Sequence, residues 1–119
     1  MKHISLLIVA LTLASQVYAK PKFPYQASET RAKHIIGEYQ KIAVGMTLSQ
    51  IETILGKPDD ITPLYEPNIM KKIKIGTTYW YLIKQLQEHG SVTEIGRRGV
   101  GVRTDLEGKV TRIDTFDLP

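Results

Sequence analysis

Residues 45–58 read G-M-T-L-S-Q-I-E-T-I-L-G-K-P, a short helix with both of its ends written into the sequence. Thr47 is placed to cap it, because its hydroxyl can accept from a first-turn amide that has no partner inside the helix. Gln50, three residues on, can reach back to the Thr47 amide and complete a capping box. Met46 outside the cap and Ile51 inside it are spaced as a hydrophobic staple. Leu48, Ile51, Ile54 and Leu55 recur at i, i+3, i+4, so one side of this helix must be buried. Gly56 suits the left-handed conformation that closes a helix, and Pro58 stops it from continuing. No side chain here is catalytic in kind. The stretch fixes architecture.

The rest of the 119-residue chain is short enough for one domain at most. Lys2 and His3 precede an apolar run over 4–17, and Val17-Tyr18-Ala19 puts small residues at the first and third positions before Lys20. This is the pattern of a secretory signal peptide spanning 1–19, with cleavage after Ala19. The run falls short of the about 20 residues a membrane-spanning helix needs, and an uncleaved anchor is the rival reading. The mature chain would be residues 20–119, with 15 Lys and Arg against 12 Asp and Glu. Its mildly basic charge is mixed along the sequence, without the dense basic face interleaved with aromatics that nucleic-acid binding requires.

Cysteine is absent. That excludes disulfides, thiolate metal sites, a cysteine nucleophile and a lipidated cysteine at the cleavage point. A soluble periplasmic protein is expected, since small extracellular animal domains usually depend on disulfides.

Residues 20–27, opening K-P-K-F-P-Y-Q, read as an extended N-terminal arm. From 28 to 43, Ala32, Ile35, Ile36, Tyr39, Ile42 and Ala43 fall at helical spacing, with Ser28 or Thr30 as cap. Gly37 costs that helix about 1 kcal/mol relative to alanine, so it depends on packing or bends there. Residues 59–68 carry Pro63 and Pro67 and read as a loop or edge segment. In N-I-M-K-K-I-K-I at 68–75, Ile73 and Ile75 alternate with Lys72 and Lys74, the pattern of a strand with one wet face. Gly76 is expected to break it.

The strongest strand signal is T-T-Y-W-Y-L-I-K-Q-L-Q at 77–87, with Trp80, Leu82 and Leu86 on one face and Tyr79, Tyr81 and Ile83 on the other. Apolar residues on both faces predict a central strand, with Trp80 in the core and one of the tyrosines partly exposed. Residues 88–91 read as a turn, 92–95 and 100–104 as strand, and D-L-E-G at 105–108 as a hairpin loop before a last strand over 109–116. The expected fold is α+β: two helices packed on a three- to four-stranded antiparallel sheet, a two-layer sandwich.

In that order and spacing, the motif at 45–58, the W-Y pair at Trp80-Tyr81 and D-L-E-G-K-V at 105–110 resemble the SmpA/OmlA/BamE family. The resemblance spans roughly 42–113. It implies a β-lactamase-inhibitor-protein-like fold for residues 28–119 and a protein-binding role in the cell envelope, assisting outer-membrane assembly or inhibiting a partner. This chain lacks the lipidated cysteine of the best-known members. It also carries Val102-Arg103-Thr104 where the family commonly has an aromatic before the hairpin aspartate. The matching residues are structural in kind and bring no binding residue with them.

No catalytic constellation can be assembled from the sequence. His34 and Glu38, at i, i+4, offer half a metal site at most and read as an exposed hydrogen-bonded pair. His89 and Ser91 lack an acid partner, Asp59-Asp60 reads as a solvated turn, and G-R-R-G-V-G at 96–101 has the wrong spacing for a phosphate loop. No enzyme, cofactor or metal is expected. The candidate contact residues are Lys71, Lys72 and Lys74 beside the proline loop, Arg97 and Arg98 between glycines, and Tyr79 and Tyr81 as aromatic anchors. They suit an acidic envelope protein or anionic lipid headgroups. A small-ligand carrier or enzyme using a helix–sheet pocket is the alternative.

Overall fold

The computed structural model describes residues 21–67, 70–86 and 96–119. The expected signal segment, the turn and strand expected over 88–95, and with them His89 and Ser91, lie outside the described residues. Chain order is β1 (Tyr25–Gln26), α1 (Glu29–Glu38), a 3-10 turn (Tyr39–Lys41), α2 (Leu48–Leu55), β2 (Asp60–Tyr65), β3 (Lys74–Gln85), β4 (Arg98–Asp105) and β5 (Val110–Phe116). The fold is α+β, with both helices ahead of the main strands of one antiparallel sheet.

The α2 helix forms as its sequence dictates. Thr47 Oγ1 accepts from the Gln50 amide at 3.3 Å, and Gln50 Oε1 accepts from the Thr47 amide at 2.9 Å. Gly56 ends the helix at φ +81 and ψ −164, not in the left-handed conformation expected but in a region essentially reserved for glycine. Ser28 caps α1 by accepting from the Arg31 amide, and α1 tightens into the 3-10 turn two residues after Gly37.

Among the described residues the sheet has five strands, more than the three or four expected. The additions are β1 and β2, which share one edge of β3. Pro63 does not prevent β2, because at an edge its missing N–H costs no ladder bond. Gly76 does not break β3 either. It pairs with Leu64 on one side and Asp105 on the other, and a Cβ there would lie 1.8 Å from the Thr104 carbonyl oxygen. Glycine is what lets these backbones approach so closely.

Register sorts the two faces of the sheet. Tyr79, Val102 and Ile113 are cross-strand neighbours on the helix side, while Asp60, Trp80, Gly101 and Asp114 share the other face. The core joins Ile35, Tyr39 and Ile42 with Ile51 and Leu55 of α2 and with Tyr81, Ile83, Val100, Val102 and Val110 of the sheet. Trp80 is therefore outside the helix-facing core, contrary to expectation, and Tyr81 is its fully buried aromatic.

A polar hub ties the layers together. Asp59 Oδ2 accepts from the Leu82 amide at 2.7 Å and from Arg31 Nη2 at 3.2 Å, and Asp59 Oδ1 accepts from Tyr25 Oη at 2.9 Å. Arg31 also donates to the carbonyls of Leu55 and Lys57, both at 2.7 Å. Tyr81 Oη donates to the Gly56 carbonyl at 2.9 Å. These donors satisfy carbonyls that the end of α2 leaves without helical partners.

Asp59→Ala should lower stability by about 2 kcal/mol in urea unfolding, since it removes the acceptor of the Leu82 amide and of the Tyr25 hydroxyl and leaves Arg31 only its two carbonyl partners. The Tyr25 phenol is pushed up to about 12 by burial and by the Asp59 charge. Protonated Tyr25 is thus favoured in the folded state, so its contribution is intact below pH 10 and fades as pH climbs from about 10 to 12. Tyr25→Phe should flatten the alkaline fall of stability over that window in melts taken across pH.

Candidate functional site

The strongest surface feature is the hairpin of β2 and β3 with its connection. Tyr65 pairs with Lys74 just past a register shift, and the Glu66 amide donates to the Ile73 carbonyl at 2.8 Å, so the ladder extends into the connection. Lys71, Lys72 and Lys74 are all exposed here. The Lys72 ammonium stands 5.9 Å from the Tyr65 ring centroid, within range of a cation–π attraction.

Apolar side chains accompany the lysines. Ile61, Tyr65, Met70, Ile73 and Ile75 are between 37 and 83 % exposed. Single exposed hydrophobes are ordinary, but five on one hairpin call for an explanation. The sequence showed the Ile–Lys alternation and suggested that the isoleucines would face inward. The helices instead cover the part of the sheet holding Tyr81, Val100, Val102 and Val110 and leave this end bare. The alternation marked a strand; only the placement of the helix layer decides which face is wet.

The other expected site residues do not gather here. Arg98 pairs with Lys84, ten residues along β3 from Lys74, which puts the two basic groups roughly 30 Å apart at the strand's rise per residue. Arg97 is held over the second face of the sheet. Its guanidinium lies 4.7 Å from the Trp80 ring and 5.0 Å from the Phe116 ring, and its Nε donates to Gln85 Oε1 at 3.2 Å. Trp80 in turn donates to Thr62 Oγ1 at 2.9 Å and lies against Gly101, where a Cβ would come within 2.9 Å of the indole. Arg98 Nε donates to the Asp117 carbonyl.

Tyr81 cannot serve as an interface anchor, because its side chain is in the core and its hydroxyl is committed to Gly56. Burial pushes that phenol well above its ordinary range. Tyr79 is half-buried against the same core.

His34 and Glu38 do not pair. His34 Nε2 donates to the Ile54 carbonyl at 2.7 Å, and Glu38 forms an ion pair with Lys41. Asp59-Asp60 is no solvated turn either, since Asp60 is buried in β2 and Asp59 is the hub. Among the described residues no three His, Cys, Asp or Glu side chains converge to hold a metal. A shallow depression lies on α2, lined by Leu48, Ser49, Glu52 and Thr53. No helix of the described residues is long and apolar enough to cross a membrane.

No family model, curated protein or solved structure matches this chain. The likeness to the SmpA/OmlA/BamE family stands on its motif residues alone.

The two basic groups should respond differently to charge reversal. Arg97→Glu removes a cation packed on two rings and should cost about 1–2 kcal/mol in urea melts, with a shift in Trp80 fluorescence. Lys72→Glu on the exposed hairpin should stay within about 0.5 kcal/mol.

Proposed function

We propose that this chain is a protein-binding module of the cell envelope, exported to the periplasm by cleavage after Ala19 and acting through surface contact. Its contact surface is the β2–β3 hairpin. The observation that carries this reading is the concentration of Ile61, Tyr65, Met70, Ile73 and Ile75 with Lys71, Lys72 and Lys74 on one hairpin. Apolar groups beside a charged margin resemble the anatomy of a protein interface, in which tyrosine and methionine are over-represented.

The charge balance points to an acidic partner. Three lysines face one exposed carboxylate, Glu66, in this segment, so an acidic surface would be drawn in and oriented by the lysines while the apolar groups supply the contact area. The likeness to SmpA/OmlA proteins supports a role in envelope assembly or in restraining a partner protein. A carrier or enzyme would need space between helices and sheet. That interface is filled by Ile35, Ile51, Leu55, Tyr81 and Val100, all fully buried.

A photo-crosslinking residue at Met70, introduced in cells, should give a discrete protein adduct in the envelope fraction. Reversing the lysines (K71E, K72E and K74E together) should cut that adduct about tenfold with an unchanged melting temperature. Absence of the adduct, together with sedimentation on vesicles of anionic phospholipid, would reassign the hairpin to lipid. The exported form should begin at Lys20 by mass spectrometry, and a start at Met1 would remove the leader from the argument.

A further inference from the structure

Among the described residues β5 forms one edge of the sheet, opposite β1 and β2, and its sequence has an unusual symmetry. Residues 111–115 read Thr-Arg-Ile-Asp-Thr. If a second copy of this strand is laid antiparallel with the dyad through Ile113, Arg112 falls opposite Asp114 and Asp114 opposite Arg112, while Thr111, the extra residue at the register shift between β4 and β5, comes beside Thr115. Opposite charges directly across a ladder are stabilising. Directly opposed residues also share a face, so both Arg–Asp pairs lie on the side away from the helices. There Arg112 is the cross-strand neighbour of Arg103, and Asp114 that of Gly101.

The edge already accepts one extended neighbour. Val110 donates its amide to the Met46 carbonyl and accepts from the Gly45 amide, both at 2.8 Å. Beyond Val110 no described strand pairs with the outer side of β5. The pairing therefore has a built-in limit: the Gly45–Met46 rung occupies the outer side of Val110, so the partner's chain must leave the ladder after Thr115, before its Phe116 would come opposite Val110.

The charged side chains are also held ready. Asp114 Oδ1 accepts from Arg112 Nε at 2.7 Å, and Asp114 Oδ2 accepts from Arg103 Nε at 3.0 Å. Arg112 remains largely exposed, its terminal nitrogens bonded to no described residue.

We infer that β5 is a self-association edge, pairing antiparallel with β5 of a second copy of this chain about a two-fold axis through Ile113. Such an axis keeps both helix pairs on one side of a continuous sheet and makes the contact isologous. Five residues a side is less than a standard interface, so the dimer should be weak, with a dissociation constant on the order of 10–100 μM. Each edge carries one positive charge in excess, because Asp114 faces two guanidiniums. An acidic strand from another protein is thus the competing occupant. This inference is independent of the hairpin contact proposed above.

Sedimentation equilibrium of the purified chain tests it. The native protein should dimerise in that range, and Arg112→Asp or Asp114→Arg alone should weaken association about tenfold or more. Mixing the two single variants should restore dimers, since each then supplies the charge the other lacks, and the double exchange R112D/D114R should dimerise by itself. Hydrogen exchange on the unmutated chain gives a readout free of folding effects, namely amide protection over 111–115 that rises with concentration. A native chain that stays monomeric to about 1 mM overturns the inference, as does a dimer indifferent to both charge reversals.

Discussion

The Arg31–Asp59 pair is the interaction on which the rest of the molecule depends. Asp59 reaches β3 through the Leu82 amide and β1 through Tyr25, while Arg31 reaches from α1 to the carbonyls at the end of α2. A guanidinium there also faces the negative end of the α2 dipole. Five donors on a flat fork can serve two carbonyls and a carboxylate together, which a lysine ammonium with its point-like charge does less well. The pair is neither fully dry nor fully wet, with 23 and 13 % of the two side chains exposed. The desolvation cost is correspondingly moderate, and the hydrogen bonds of both partners offset it.

Legibility followed the range of the interaction. The capping box at Thr47 and Gln50, the stop at Gly56 and the 105–108 turn are local, and sequence spacing alone identifies them. The β2 strand was obscured by Pro63, whose meaning depends on whether the strand lies at an edge. Gly76 was misread for the same reason: a glycine that ends a strand and one that lets a neighbouring backbone come close look identical until the neighbour is known. Nothing near Arg31 in sequence announces Asp59, the carboxylate it pairs with across the fold. Trp80 and Tyr81 were placed on opposite faces correctly, yet which face belonged to the helices was not encoded locally.

The candidate site was legible in part. The three lysines of the hairpin could be picked out from their clustering, whereas the exposed isoleucines beside them could not, because an Ile–Lys alternation ordinarily means apolar inside. The arginines looked like one more basic patch. Their surroundings separate them, with Arg97 lying over two rings and Arg98 bonded to the chain's last turn. Charge counted along a sequence says little about which charges can still reach a partner.

The rung between Val110 and the Gly45–Met46 loop has a consequence for how the chain comes to be. α2 has eight residues, too few to persist alone in water. One of its anchors, Asp59, follows closely, but the other lies at the start of the last strand. During synthesis the helix is complete before β3 and β4 exist, so at that stage Ile51 and Leu55 can meet Ile35 and Tyr39 but not Tyr81, Val100 or Val102. The element most plainly written in the sequence is therefore covered in stages, by α1 first and then by β3 and β4, and the loop that leads into it is tied to the sheet only when Val110 arrives.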